Sequence, residues 1–273
     1  MLAYSFCRTL NMPFEIDLKG KNVLVTGGGR GLGSHIARSL AEAGANIALT
    51  YNASPADKIA KQLEEEFKGI KVGSYKMPAD DSKAIDEAVK LITKDLGELD
   101  VVIANAGICI HQDAEKMTDE EFEDVFKVNT FGPYYLARAA AYQSWFPTGN
   151  EEPKDKVILF VSSISGLITN TPQNQCAYNG SKAALTHLGR SLAGEWVSKG
   201  VRVNTLSPGY ISTEMSEGSE SGKKNAAEWR ERTPMKRFAK PKEIADMLVV
   251  LASGRSSYMT GSDVVVDGGY TIF

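Results

Sequence analysis

Tyr178 and Lys182 stand four residues apart in "YNGSK". On a helix that spacing puts both side chains on one face, about 5–6 Å apart at Cβ. The pair can act as one unit, an acid and the cation that tunes it. A free phenol near pKa 10 is too weak an acid for neutral pH, and an ammonium one helical turn away favours the phenolate. The chain holds ten tyrosines, so a Tyr-x-x-x-Lys match is expected roughly once by chance. The elements around the pair decide whether it belongs to a site.

A second chemical pattern lies near the start. "VLVTGGGRGLGSHIARSLAEAG" runs from an apolar strand through Gly27, Gly28, Gly29, Gly31 and Gly33 into an amphipathic helix. Glycines let the backbone turn sharply and approach a pyrophosphate, while a helix N-terminus offers free N–H groups and partial positive charge. In a first βα unit this turn predicts dinucleotide binding rather than a plain tight turn. A carboxylate at the end of the second strand would hydrogen-bond a ribose 2′-OH and repel a 2′-phosphate. Here that end reads "ALTYNASPADK", with no acid before Asp57. Arg30 supplies a planar fork suited to a phosphate, and Asn52 and Ser54 can donate hydrogen bonds. NADP(H) is therefore the expected cofactor.

Short apolar runs alternate with stretches of helical period along the rest of the chain. "NVLVTGG" precedes a helix over 32–43, "NIALTY" one over 55–67, "KVGSYKM" one over 82–96, "LDVVIANAG" one over 118–146 and "KVILFVSS" one over 177–198. "VRVNTLSPG", a helix near 241–252 and "SDVVVDGG" complete the series. Strands that are apolar throughout and alternate with helices predict a parallel sheet covered on both faces. The expected fold is α/β: one doubly wound, seven-stranded, Rossmann-type domain over 19–273, its ligand crevice outside the carboxyl ends of the strands. The polar segment over about 214–240 departs from the alternation, and a mobile lid over that crevice is expected there. Within 118–146, Asn129 in "FKVNTFG" beside Gly132 predicts a local break in the helix.

The chain has 273 residues, 42% hydrophobic and 24% charged, with a net charge of −3, an ordinary globular composition. Its scattered Lys and Arg give no footprint for nucleic acid or an anionic membrane, so neither is an expected partner. No apolar run approaches the roughly 18 residues that span a bilayer. Cys7, Cys109 and Cys176 have neither disulfide nor metal-ligand spacing, and no metal is expected. His35, His111 and His187 share no metal-like spacing either. A reducing, cytoplasmic compartment fits. Residues 1–18 are expected to form a flexible extension, although Arg8, the hydroxyl residues and the lack of acid before Glu15 also suit an organellar presequence.

"TGGGRGLG", "NAG" at 105–107, "VNTFG" from 128, "SSISG" from 162, "YNGSK" and "SPGYIST" from 207 occur in the order found in the short-chain dehydrogenase/reductase family, which the chain resembles over nearly its whole length. The resemblance implies a catalytic tetrad of Asn129, Ser163, Tyr178 and Lys182, Ser163 being chosen over Ser162 because it precedes Gly166 by three. It implies cofactor contacts from Gly27, Arg30, Gly31, Leu32, Gly33, Asn52, Ser54, Asp80, Asn105, Tyr178, Lys182, Ile211 and Thr213. Many relatives carry an adenine-binding Asp where this chain has Pro78, so Asp80 or the Ala79 backbone is expected to substitute. In the family the Asn positions a water in a proton relay to the Lys. Asn105 is expected to tie adjacent strands together beneath the cofactor. The helices over 118–146 and 177–198 pack against other subunits in relatives, which implies a homotetramer or a dimer.

The chemistry expected of the tetrad follows from charge. Hydride addition to a carbonyl builds negative charge on oxygen, which needs a donor to hold it and an acid to protonate it. Ser163 and Tyr178 have those capacities. Within the family, "ISGLITNTPQNQCAYNGSK", "SPGYISTEM" and "VVVDGGYTIF" are similar to fungal ketose and polyol enzymes of the sorbose reductase and mannitol dehydrogenase type. That implies reduction of sorbose or fructose to a sugar alcohol, with Ser163, Ser165, Gln175 and Tyr178 at the substrate. The alternatives are a 3-oxoacyl thioester or xenobiotic ketone, or an NADP(H) sensor without turnover.

Overall fold

The runs rich in Val, Ile and Leu become strands, five of the seven buried along most of their length. They are β1 (Asn22–Thr26), β2 (Asn46–Tyr51), β3 (Val72–Lys76), β4 (Val101–Ala104), β5 (Lys156–Val161), β6 (Val201–Pro208) and β7 (Asp263–Val266). In the computed structural model, which describes residues 16–146, 152, 154–218 and 220–273, they form one parallel sheet in the order β3-β2-β1-β4-β5-β6-β7. The strand order reverses between β1 and β4, and a ligand crevice opens beyond the carboxyl ends at such a reversal. This is the doubly wound single domain expected from the sequence. Residues 1–15 of the expected extension lie outside the described residues. Residues 16–18 belong to the packed body instead: Leu18 is 2% exposed and donates its N–H to the Ala43 carbonyl at 2.8 Å.

Two apolar layers sandwich the sheet. One face packs Ile36 and Leu40 of α1 (Gly31–Glu42) with Ile244 and Leu248 of α8 (Pro241–Ala252), and α2 (Asp57–Glu66) adds Ala60 and Leu63. The other packs α3 (Ser82–Leu96), α5 (Gly132–Ala140) and α6 (Cys176–Trp196) through Ile85, Ile92, Leu136, Leu185 and Leu192. Both faces must be covered, because the central strands present apolar side chains to each of them, Val23 and Val25 to one layer and Leu24 and Val102 to the other.

The expected helix over 118–146 is broken as Asn129 suggested. It divides into α4 (Asp119–Phe126), a π turn at Lys127–Phe131, α5, and a second π turn at Ala141–Trp145. A capping box of Thr118 and Glu121 starts α4. The first break has a local cause: Pro133 has no N–H to give the carbonyl of Asn129, its α-helical partner four residues back.

The segment expected to form a lid is not irregular throughout. Its centre is a 13-residue helix, α7 (Glu220–Arg232). The helix is polar on most sides, supported by an i,i+4 pair between Glu228 and Arg232 at 2.6 Å, and buries Gly222, Asn225 and Trp229. Trp229 is 3% exposed, stacks on Tyr210 at 4.5 Å between ring centres, and donates its Nε1–H to Gln173 Oε1 at 3.0 Å.

Candidate active site

The glycine turn meets the requirements of a pyrophosphate cradle. Gly27 has φ +64° and Gly31 φ +52°, and a Cβ on Gly31 would meet nothing within 4 Å, so the backbone faces open space there. Gly33 is required for a different reason: a Cβ would lie 2.1 Å from the Gly27 carbonyl oxygen. Arg30 is the N-cap residue of α1, extended and exposed, without a carboxylate in salt-bridge range among the described residues. Asn52 and Ser54 are exposed just beyond β2. Cationic and neutral donors and no acid therefore line the edge where a 2′-phosphate would sit, and the residues fit NADP(H).

Asn105 closes the floor between β1 and β4, donating Nδ2–H to the Thr26 carbonyl at 2.9 Å, while its own N–H goes to Thr26 Oγ1 at 2.9 Å. It ties the strands as expected. From there the turn and the acid–cation pair are two residues apart: a Cβ on Gly27 would lie 3.4 Å from Ala106 Cα, and one on Gly107 would lie 3.5 Å from Lys182 Nζ. Ile211 forms a parallel bridge with Ala239, and Thr213 takes Ser216 Oγ on its N–H at 3.1 Å. Leu32 packs against the core cluster at the start of α1. Asp80 is exposed beside Asp81, whose carboxylate caps α3 through the Lys83 and Ala84 N–H groups.

The four expected tetrad residues converge. Helix α6 carries Tyr178 and Lys182 on one face, and Lys182 Nζ sits 5.6 Å from the Tyr178 ring centre while donating to the Val161 carbonyl at 2.8 Å. Ser163, extended at the end of β5, caps a short 3-10 turn by accepting the Ser165 N–H, and hydrogen-bonds Tyr178. Ser162 points elsewhere, donating to the Lys182 carbonyl at 3.0 Å and accepting from Thr186 Oγ1 at 2.9 Å; it is structural. Asn129 is fully buried in the π turn. Its Oδ1 accepts the Ile108 N–H at 2.9 Å, and its Nδ2 donates to the Ile108 carbonyl at 2.9 Å and Ser181 Oγ at 3.0 Å. Its side chain thus fixes the strand β4 exit against α6.

The electrostatics differ from the expectation that the ammonium lowers the phenol. Burial pushes Tyr178 up, the Cys109 thiol nearby adds to it, and the Ser163 hydrogen bond acts in the opposite sense. Burial also lowers Lys182 to about 8. Desolvation outweighs the charge pairing because both groups lie in the same dry pocket, where the phenolate and the ammonium each lose hydration. Cys109 is pushed up to about 12 by burial, which leaves an unreactive thiol.

Ser165 and Gln175, expected to meet substrate, are 5% exposed each and bonded within the protein. Gln175 Nε2 contacts Ser165 Oγ, Asn170 Oδ1 and Asn179 Oδ1. Two further residues come to the site that sequence reading missed: Tyr210, which accepts from Gln173 Nε2 at 3.0 Å and Asn170 Nδ2 at 3.2 Å, and Trp229 above it. Tyr210 belongs to "SPGYIST", so its motif was visible and its partners on α7 were not.

The chain is similar to known enzymes in sequence and to solved structures in fold. The family model for enoyl-(acyl carrier protein) reductase matches residues 27–271. The sorbose reductase of Candida albicans is 38% identical over 93% of this chain and 88% of its own. The NADP-dependent mannitol dehydrogenase of Alternaria alternata is 40% identical over 94% of each chain. A short-chain type dehydrogenase/reductase from Mycobacterium marinum, solved by crystallography, superposes with a TM-score of 0.86 at 36% identity, covering 94% of this chain and 97% of that one. A matched span that runs from the glycine turn past the last strand, and whose residues converge as described, establishes that this chain belongs to the short-chain dehydrogenase/reductase family.

Proposed function

We propose that the chain is an NADP(H)-dependent oxidoreductase that interconverts a ketohexose such as sorbose or fructose and its sugar alcohol. The observation that carries this reading is the meeting of Ser163, Tyr178 and Lys182 two residues from the glycine turn, in a chain similar to a sorbose reductase and a mannitol dehydrogenase. NADPH, when bound, supplies the hydride. Gly27, Arg30, Gly31, Leu32, Gly33, Asn52, Ser54 and Asn105 line its path, with Asp80, Ile211 and Thr213 along the crevice wall. Ser163 holds the substrate oxygen, and Tyr178 donates its proton to that oxygen as negative charge grows there. Lys182 fixes the Tyr178 ring and supplies positive charge to the pocket.

Measuring NADPH absorbance across a panel of ketoses, polyols and ketoacyl thioesters tests the reading. Ketose reduction near neutral pH and polyol oxidation at alkaline pH are expected. One observation favours a second reading, reduction of a hydroxyl-poor ketone: Leu167 is exposed beside the site while Ser165 and Gln175 face inward. A far higher kcat/KM for such a ketone or a thioester than for any ketose decides for it.

A homotetramer, or a dimer, is the assembly we propose. Phe122, Phe131, Tyr134 and Tyr142 leave an exposed aromatic surface along α4 and α5, the kind of patch that marks an interface. Light scattering on the purified protein tests it, and a monomer at micromolar concentration overturns it.

A further inference from the structure

Two loops leave the carboxyl ends of the neighbouring strands β4 and β5, and they are stitched together beside Tyr178. The Gln112 N–H donates to the Asn174 carbonyl at 3.1 Å, and Asn174 Nδ2 donates to Asp113 Oδ1 at 2.8 Å. Gln175 Oε1 faces His111 Nε2 at 3.2 Å and Cys109 Sγ at 3.8 Å. The Cys109 thiol lies within electrostatic reach of both Tyr178 and Lys182. The stretch from Cys109 to Asp113 therefore borders the crevice next to the acid.

The neighbours of His111 decide which of its ring nitrogens carries the hydrogen. A neutral imidazole has one donor and one acceptor nitrogen, and the hydrogen bond made by one assigns the other. Gln175 Nε2 stands 3.1 Å from Asn170 Oδ1 and 2.9 Å from Asn179 Oδ1, two carboxamide oxygens that can only accept. That puts the Gln175 oxygen on the His111 side, where it too can only accept. His111 must donate from Nε2. Its Nδ1 is then a bare lone pair with no hydrogen-bond partner among the described residues. The rest of the ring is exposed, yet burial still lowers its pKa below that of a free histidine, against the Gln175 hydrogen bond, which raises it. The ring is uncharged at neutral pH.

We propose that His111 is a specificity-determining residue whose Nδ1 accepts a hydrogen bond from a hydroxyl on a carbon next to the substrate carbonyl. Ser163, Tyr178 and Lys182 are donors grouped around the carbonyl oxygen, so a neighbouring sugar hydroxyl must give its own hydrogen elsewhere. The other polar side chains on this wall are already bonded within the protein: Cys109 to Gln175, and Asn174 to Asp113. A bare acceptor there suits a ligand that arrives with hydroxyl hydrogens, and a ketone without them leaves it unpaired. The inference rests on the ketose reading above, because only a substrate hydroxylated beside its carbonyl uses Nδ1.

Selective ¹⁵N labelling of histidine gives a readout that needs no turnover. The chain has three histidines, and His111→Gln identifies the signal by its loss. At pH 7.5 His111 should show a protonated Nε2 and a bare Nδ1, and the sugar alcohol should shift Nδ1 in the dead-end complex with NADPH. A hydrogen on Nδ1 at that pH, or a shift on neither nitrogen, overturns the proposal.

Kinetics test the role itself. His111→Phe keeps a planar ring and removes the acceptor; it should raise ketose KM about 5- to 20-fold, the size of one lost hydrogen bond, with kcat and NADPH affinity nearly unchanged. His111→Gln, which again offers an acceptor and a donor, should recover most of the loss. The decisive comparison is a ketohexose against its 1-deoxy and 3-deoxy analogues. The wild type should lose a similar factor on one of them, and His111→Phe should no longer tell that analogue from the parent sugar. Losses that multiply on both analogues, or that fall on kcat alone, overturn the assignment. If the wild type reduces no ketose, the sugar reading fails by itself, and the same comparison between an α-hydroxyketone and its parent ketone decides on His111.

Discussion

Lys182 holds its ammonium 5.6 Å from the centre of the Tyr178 ring and 2.8 Å from the carbonyl of Val161, so the cation is anchored to the end of β5 and not to the phenol oxygen. That placement has a measurable penalty, because Lys182 is 3% exposed and burial lowers it to about 8, against 10.5 for a free lysine. Between those values the unfolded chain keeps a proton that the folded chain has released, so stability rises with pH through that window and the penalty is full below it. It amounts to roughly 3 kcal/mol at pH 7, partly offset by about 1 kcal/mol from the Val161 hydrogen bond. Lys182→Met is expected to lose activity yet raise Tm at pH 7 by on the order of 5 °C, the gain shrinking toward pH 10.5. Thermal melts at pH 7, 9 and 10.5 check this, and a lower Tm at pH 7 would count against it.

Removing only the phenol oxygen isolates the proton donor. Tyr178→Phe should bind NADPH with unchanged affinity and turn over about 10²- to 10⁴-fold more slowly, the range that general acid catalysis contributes. Cofactor fluorescence titration and steady-state kinetics on one preparation separate the two effects; near wild-type turnover would remove Tyr178 from the mechanism.

Arg30 stands at the start of α1 with no carboxylate to hold it among the described residues. A charge-assisted hydrogen bond to a 2′-phosphate contributes about 1.5–3 kcal/mol. Arg30→Ala should therefore weaken NADPH by roughly 10- to 100-fold and leave NADH, which lacks that phosphate, nearly unaffected. Equal losses for both would reduce Arg30 to a shaper of the turn.

Two buried tryptophans should behave differently. Trp145 is fully buried in the core and donates to the Leu99 carbonyl at 2.7 Å, whereas Trp229 fastens one helix to Tyr210 and Gln173. Trp145→Ala is expected to lower global stability by about 3–5 kcal/mol. Trp229→Ala should instead release α7 locally, with early proteolytic cleavage between 214 and 240, a raised substrate KM and a smaller change in Tm. A Tm loss from Trp229→Ala as large as that from Trp145→Ala would show that α7 is part of the global folding unit.

The parts of this molecule that sequence patterns expose are those governed by periodicity. Strand β5 is apolar at every position from Val157 to Val161 because both faces of the sheet are covered, and Tyr178 and Lys182 share a face because a helix repeats every 3.6 residues. Asn129 was legible as a break because a polar residue beside Gly132 interrupts the helical pattern; that Pro133 causes the break emerged from the structure. Helix α7 was not: "ESGKKNAAEWRER" offers the core little besides Trp229, with Glu228 and Arg232 as its faint helical mark. The inward turn of Gln175 was invisible for a related reason. Its partners His111, Ser165 and Asn170 come from two separate loops, and nothing in the spacing says which polar side chains a fold will use on itself. The upward push on Tyr178 likewise depends on how much water the folded pocket excludes, a property of packing rather than of residue type.

The π turn at Lys127–Phe131 makes chain length a constraint in a place where helices usually tolerate drift. One added residue in a turn offsets everything beyond it by about 100° around the helix axis. Deleting a residue from this stretch would rotate α4 against α5 by that angle. Either Asn129 would leave Ile108 and Ser181, or Leu136 and Ala140 would leave the core they fill. An insertion or deletion that a surface loop absorbs would here exchange a working site for a regular helix, so the segment from Thr118 to Trp145 should accept substitutions far more readily than changes in length.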